Sequence, residues 1–406
     1  GANVLYAYEN GNLTNKPLWN PGGNGAPTGA FPCGATVPGV NDIPGQSCYD
    51  VHQRLNVAAA NGCNLPANYQ GSWPPAPGPI GGPTGTHQII SMKALLSGMR
   101  NIYSPSVLGK NEASSAFTSN DDARGVTDKM WIAGWLTDAD VNDYLQAVNS
   151  GVDLATIPGP DKIFYSEHIN GNWSSPVLSF QKIGYHINDP SIIYPPSSDG
   201  IDRSRWLYMY YTALENKDAQ ASRFNRHAIG FASSVDGGHT WTDHGIIIRP
   251  EDSGDGAGAW SPGAIVVNNE IWMYYHTGTI DFSRPITFRL RVNLDGFTKL
   301  SLPERLTFTN GLALVSNVDV IRMNAKYIMV ANATDLKNIF VFTSSNGSDW
   351  SPYAYNPLIA GSPNMVLTPH IKADDSQHFK VYFGYDTDGS GSHSIHEWNL
   401  LVPNIF

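Results

Sequence analysis

A short motif recurs five times from residue 99 onward, and few architectures accommodate it. Each copy opens with a polar step, usually ending in proline, and runs into an apolar stretch. The clear copies are Tyr103-Ser104-Pro105-Ser106-Val107-Leu108, Asn188-Asp189-Pro190-Ser191-Ile192-Ile193 and Trp260-Ser261-Pro262-Gly263-Ala264-Ile265. Two weaker ones are Ser316-Asn317-Val318-Asp319-Val320-Ile321 and Leu367-Thr368-Pro369-His370-Ile371. A second, aromatic β-rich segment follows each opening, as in Met130-Trp131-Ile132-Ala133-Gly134-Trp135, Trp206-Leu207-Tyr208-Met209-Tyr210-Tyr211 and Ile271-Trp272-Met273-Tyr274-Tyr275-His276. A third, such as Ala228-Ile229-Gly230-Phe231-Ala232, leads in four units into a Gly turn, and Asn-Gly and Asp-Gly supply the positive φ that tight hairpins need.

Five units of about 50 to 85 residues, each with three or four antiparallel strands, predict an all-β, five-bladed β-propeller. The blades fall at about 99–180, 181–255, 256–310, 311–360 and 361–406. A solenoid is excluded by the hairpin links, and a sandwich does not explain the fivefold order. The fifth unit stops soon after its third strand, so its outer strand comes from elsewhere. Asn3-Val4-Leu5-Tyr6-Ala7-Tyr8 and the stretch around Gln88-Ile89-Ile90 are the candidates.

Residues 1–86 contain 15 Gly and 12 Pro but only five charged residues, a mixture hostile to regular structure. Residues 1–98 therefore read as an irregular Gly/Pro-rich N-terminal extension packed on a propeller of residues 99–406. Its three cysteines, Cys33, Cys48 and Cys63, allow one disulfide and one spare thiol, with the pairing open. Their spacing is not that of a zinc site. The net charge of −10 argues against a nucleic-acid partner, and no apolar run approaches the ~20 residues of a membrane helix. A charged fraction of 15% and abundant aromatics suggest a secreted or periplasmic protein, and the opening at Gly1, without Met or an apolar leader, reads as a mature or trimmed form. Sequons at Asn12, Asn172, Asn332 and Asn346 would matter only in a eukaryotic secretory route, and chance in so Asn-rich a chain accounts for them at least as well.

Propeller topology sorts these residues by face. The blade openings and the loops joining second to third strands crowd one mouth, whereas the Gly turns lie opposite. The mouth gathers carboxylates with the aromatics Tyr103, Trp135, Tyr185, Tyr211, Trp260 and Tyr385. Flat faces beside hydrogen-bonding groups suit sugar rings.

The segment from Ala228 to Gly245 resembles the third-strand-to-turn segments of five-bladed propeller glycosidases: the arabinanase, xylosidase, invertase and levansucrase-like enzymes of glycoside hydrolase family 43 and relatives. Within it, Ser234-x-Asp236-x-Gly238-x-Thr240-Trp241 looks like the Asp-box of sialidases, a folding motif. Asn188-Asp189-Pro190 and Trp260-Ser261-Pro262 look like the blade openings of the same glycosidases. The resemblance implies a glycoside hydrolase acting on a poly- or oligosaccharide through carboxylates at the mouth: a base or nucleophile, a general acid, and an Asp that tunes the acid. Only Asp189 occupies a matching slot. Ser104 stands at the first-blade position, and Trp260-Ser261-Pro262 lies where a Glu would be expected.

Replacement carboxylates are Glu215, Asp255 and Asp319, with Asp138, Asp140, Glu251, Asp252, Asp281 and Asp386 on further mouth loops. Substrate contacts are expected from Ser104, Tyr103, Trp135, Tyr185, Tyr211, Trp260, His276 and Arg284. No cofactor is required; His370 falls where arabinanase-like members place a channel His beside a structural Ca²⁺. Two alternatives use the same mouth: a non-catalytic, lectin-like glycan-binding propeller, and a polysaccharide lyase drawing on His186, His276, Arg223, Arg226 and Arg284.

Overall fold

A computed structural model describes residues 88–96, 99–195, 205–253, 258–278, 285–309, 315–333, 336–353, 356–360, 364–374, 378–386 and 392–401, together with the strands Leu5–Glu9 and Asn12–Trp19. The chain divides into two compact units, residues 1–81 with 310–312, and residues 82–309 with 313–406. In the first, Leu5–Glu9 pairs antiparallel with Asn12–Trp19. The cysteines lie outside the described residues.

The second unit is a five-bladed β-propeller. Blade 1 runs Asn101–Gly109, Val126–Trp135, Lys162–Ile169 and then the short strands Asn172–Trp173 and Val177–Phe180. Blade 2 comprises Tyr185–Ile193, Leu207–Glu215, Ala228–Ser234 and Thr242–Ile248; blade 3 comprises Trp260–Val267, Glu270–Thr277, Ile286–Asn293 and Glu304–Arg305. Blade 4 is built on Val315–Met323, Lys326–Ala333, Asn338–Ser344 and Asp349–Pro352. Blade 5 takes Val366–Ala373, His378–Tyr385 and Ser394–Leu401, and its outer strand is Gln88–Leu96, paired with Ser394–Leu401. The boundary at residue 98 thus differs from the structure: Gln88–Leu96 hydrogen-bonds into the ring, because the fifth blade would otherwise expose an unpaired edge. The other candidate closing strand is paired within the hairpin of the first unit. Among the described residues, no helix is long and apolar enough to cross a membrane.

The apolar alternation of the strands is spent between blades rather than in one central core. Blades 1 and 2 enclose Trp131, Tyr165, Phe180, Met209 and Tyr211; blades 2 and 3 enclose Tyr208, Tyr210, Phe231, Met273 and Tyr275. On the Gly-turn face the second strand of one blade also clasps the turn of the next. Trp131 Nε1 donates to Gly238 O at 3.2 Å, Tyr210 Oη to Gly296 O at 2.9 Å and Tyr274 Oη to Gly347 O at 3.2 Å. These turns require glycine, since a Cβ on Gly238 would lie 2.2 Å from Trp131 and φ is +90°.

At the pore the backbone repeats most faithfully. Each innermost strand carries one extra residue relative to its neighbour, between Tyr103 and Ser106, Asn188 and Ser191, Trp260 and Gly263, Ser316 and Asp319, and Leu367 and His370. The bulged residue is left-handed in all five blades: Ser104, Asp189, Ser261, Asn317 and Thr368 have φ between 47° and 51°. Proline follows in four of them, where a bulge leaves no ladder partner for an N–H.

Candidate functional site

Two stacked rings of side chains follow from these bulges. The upper ring is Ser104, Asp189, Ser261, Asn317 and Thr368. Ser104 Oγ donates to Asp189 Oδ1, while Asp189 Oδ2 lies 2.8 Å from Ser261 Oγ and accepts from Thr212 Oγ1 at 3.0 Å. Ser261 Oγ is also 2.8 Å from Asn317 Oδ1, and Asn317 Nδ2 reaches Asn332 Oδ1 at 3.1 Å. Asn332 completes the link to blade 5, accepting from Thr368 N at 2.8 Å and donating to Val366 O at 2.7 Å. The Asn332 side chain, part of a sequon, is thus fully buried in this network.

The lower ring lies two residues further along each strand: Ser106, Ser191, Gly263, Asp319 and His370. Four of its members tie their blade to the backbone of the next; the fifth, Gly263, has no side chain, and a Cβ there would lie 2.4 Å from Val318 O. Ser106 Oγ accepts from Ile192 N at 3.0 Å, Ser191 Oγ from Ala264 N at 2.9 Å and Asp319 Oδ2 from Ile371 N at 2.9 Å. His370 Nε2 closes the circle on Val107 O at 3.0 Å, and its Nδ1 pairs with Asp319 Oδ2 at 2.9 Å. Burial works against charge on His370, but Asp319 outweighs it and raises the imidazole above its ordinary value.

This geometry reassigns two expected site residues. Asp319 is a blade-to-blade tie paired with His370, and both nitrogens of His370 are occupied, so neither nitrogen has a lone pair free for Ca²⁺. The space between the rings is only about 20 Å³, roughly one water. The residues present do not fit a channel calcium ion held by His370.

Above the upper ring opens a cavity of about 370 Å³. Its apolar wall is Tyr103, Phe224, Trp260 and Leu367; its polar wall includes Asn188, Asp189, Thr212, His227 and Asn317. Asp189 is the one carboxylate lining it among the described residues. Burial is the largest influence on Asp189 and raises its carboxyl above the usual range, against the hydrogen bonds donated by the Ser104 and Thr212 hydroxyls. His227 is pushed down to about 4 and His276 to about 3 by burial, so both are neutral near pH 7. His276 Nδ1 accepts from Asn317 N at 3.3 Å, and its ring stands edge-on to Trp260 at 5.4 Å. It supports the wall from behind.

Tyr103 links the cavity to a polar cluster outside it. Its hydroxyl donates to Asp161 Oδ1 at 2.8 Å, and His186 Nδ1 lies 3.3 Å from Asp161 Oδ2. Burial, then Asp161 and Asp189, hold the Tyr103 phenol well above its ordinary value.

Several expected contacts lie elsewhere. Glu215 ends its strand as the residue before helix Asn216–Gln220 and pairs with Lys217 at 2.5 Å on the rim. Tyr211 points between blades 1 and 2 and donates to Asp243 Oδ1 at 2.6 Å, because alternation on its strand turns it from the mouth. Tyr185 packs against that same core, under the Lys182 ammonium, and Trp135 ends its strand opposite Asn101; neither lines the cavity. Asp138 pairs with Arg100, and Asp140 caps helix Asp138–Asn149 through Thr137. Asp255 and Arg284 lie outside the described residues. Sequence reasoning missed Asp161, Phe224, His227 and Asn332. The first three sit in loops between second and third strands, where position but not conformation is readable.

A buried group elsewhere has its own cations. Asp121, Glu167 and His239 converge between blades 1 and 2, where Lys129 meets Asp121 Oδ2 at 2.9 Å and Arg124 holds Glu167 and Asp121.

No protein-family model matches this sequence, and no curated protein does. Solved structures do share the fold. The RS223-Beta-xylosidase superposes with a TM-score of 0.51 at 11% identity, over 77% of this chain and 94% of its own. A GH43_1 enzyme from Xanthomonas citri gives 0.51 at 10% identity, over 77% and 90%. An alpha-L-arabinofuranosidase from Lactobacillus brevis gives 0.50 at 11% identity, over 75% and 92%. The chain therefore has the five-bladed propeller architecture found in family-43 glycoside hydrolases.

Proposed function

We propose that the mouth cavity binds an uncharged sugar and that the chain is an exported, carbohydrate-recognising propeller on a glycosidase-like scaffold. One observation carries this reading: the cavity joins aromatic faces to amides and hydroxyls, and its described lining holds no cation and a single carboxylate. Sugars offer apolar C–H faces and hydroxyl edges to such a wall. Hydrolysis in the usual manner needs two carboxyl groups flanking the scissile bond. Here Ser104 and Trp260 occupy the openings where the resemblance would place the other two members. A uronate substrate would need a cation, and Arg223 and Arg226 are instead directed at Asp218, buried in the helix Asn216–Gln220, and at Glu251.

A second reading, hydrolysis by an unconventional pair, is favoured by Asp161, one phenol away from the cavity. Against it, Tyr103 stays protonated and is a donor rather than a nucleophile.

The test is titration of the purified protein with neutral xylo- and arabino-oligosaccharides and with uronate oligomers, alongside a reducing-sugar assay. The expected result is saturable binding of neutral sugars, weakened about tenfold or more by Trp260→Ala, without turnover. Sugar release abolished by Asp161→Asn establishes the hydrolase instead. Unsaturated, ultraviolet-absorbing products from uronates establish a lyase. No binding of any glycan overturns the proposal.

A further inference from the structure

The upper ring has a direction, and it determines where one proton sits. Backbone groups have fixed roles: Thr368 N can only donate and Val366 O can only accept. Their contacts with Asn332, at 2.8 and 2.7 Å, allow its amide to stand one way only, with Oδ1 toward Thr368 and Nδ2 toward Val366. Asn332 Oδ1 also meets the Asn317 side chain at 3.1 Å, so the Asn317 atom there is the NH₂. Asn317 Oδ1 therefore faces Ser261 Oγ at 2.8 Å, and the only proton Ser261 owns is directed at it. Ser261 Oγ is nonetheless 2.8 Å from Asp189 Oδ2. With its proton committed to Asn317, Ser261 is the acceptor in that contact.

Thr212 fits the same order. Its Oγ1 accepts from Ser261 N at 2.8 Å, which leaves its proton for Asp189 Oδ2 at 3.0 Å. Ser104 donates to the other oxygen. Asp189 Oδ2 thus accepts one hydrogen bond and donates one, as the hydroxyl oxygen of a carboxylic acid does.

We propose that the backbone of blade 5, acting through Asn332, Asn317 and Ser261, holds Asp189 as a neutral carboxylic acid at neutral pH. Among the described residues, nothing facing it supplies a compensating cation: Tyr103 is protonated and bonded to Asp161, His227 and His276 are neutral, and His370 is paired with Asp319 in the ring below. Burial raises the Asp189 carboxyl in the same direction. Asp189 is then a positioning residue. Its proton is held inside the ring, so it neither takes a proton from a nucleophile nor offers an anion to a developing oxocarbenium ion. The inference rests on the ring alone and stands or falls independently of sugar binding.

Infrared difference spectra between the wild-type protein and Asp189→Asn, recorded across pH, test it directly. The expected wild-type spectrum at pH 7 contains the carbonyl stretch of a protonated acid, absent from the variant. Ser261→Ala separates the two proton arrangements by sign. If Ser261 accepts from Asp189, its loss shifts the Asp189 titration downward by about one pH unit or more. If Ser261 donates to a carboxylate, its loss shifts the titration upward. A carboxylate band at pH 7, or the upward shift, overturns the proposal. Should Ser261→Ala not fold, the melting temperatures of wild type and Asp189→Asn decide. A carboxyl raised in the folded state loses stability as pH rises from its unfolded value of about 4 toward its folded one. Asp189→Asn then gains on wild type as pH rises from 4 to 7, whereas a constant difference overturns the assignment.

Discussion

The Gly-turn face and the pore solve the same problem, joining one blade to the next, in opposite ways. On the Gly-turn face the side-chain chemistry repeats: an aromatic donor from one blade meets the carbonyl of a glycine turn in the next, three times over. At the pore the backbone repeats instead, with five left-handed bulges within a few degrees of one another, while the side chains they carry are Ser, Asp, Ser, Asn and Thr. A left-handed non-glycine residue costs on the order of 1 kcal/mol. The five are retained because each aims a side chain at its neighbours around one axis. Assembly is entrusted to a constant chemistry on one face, and a constant geometry on the other leaves chemistry free to vary.

The largest expected effect breaks the first half of this comparison. Trp131→Ala should cost about 3–5 kcal/mol in chemical denaturation, because it empties the interface between blades 1 and 2 and removes the donor to Gly238. Gly238→Ala should be comparably damaging, since its Cβ has no room and its φ is positive. The lower ring comes next. Asp319→Asn should cost about 3 kcal/mol near pH 6, by stranding the His370 imidazolium. In wild type the raised His370 contributes stability that is complete below about pH 6.5 and lost as pH climbs through its folded value; the variant should lack that alkaline loss.

His276 runs the other way. A buried neutral imidazole lowered to about 3 stabilises fully above about pH 6.5 and progressively less as pH falls. By pH 5 the loss should reach about 2 kcal/mol, and His276→Gln should flatten the acid limb of a melting-temperature profile. The smallest effect sharpens the picture of the ties. Ser106→Ala deprives Ile192 N of its side-chain acceptor and should cost about 1 kcal/mol, leaving glycan affinity unchanged.

Much of this was legible in the sequence because the bulges need a recognisable vocabulary. The polar residue and following proline located four of the pore positions, and the polar step into an apolar run located Asn317, where proline is absent. What the pattern could not convey was register between blades. Asp319 and His370, 51 residues apart, looked like independent channel groups until the two openings were superimposed as the same ring position. The rim escaped for a different reason: Glu215 leaves the strand into a helix that turns its carboxylate toward Lys217, a loop property with no periodic signature. Asp161 was hidden by the same freedom, just ahead of the strand Lys162–Ile169.

The pairing of Gln88–Leu96 with Ser394–Leu401 joins segments separated by about 300 residues of chain. During synthesis the early strand emerges long before its partner exists, and every other sheet can form while it waits. The circle is latched by the last of the ring's own strands to be made. Until then the first and fifth blades face each other across a gap, and a chain that ends early is left an open arc with an apolar flank.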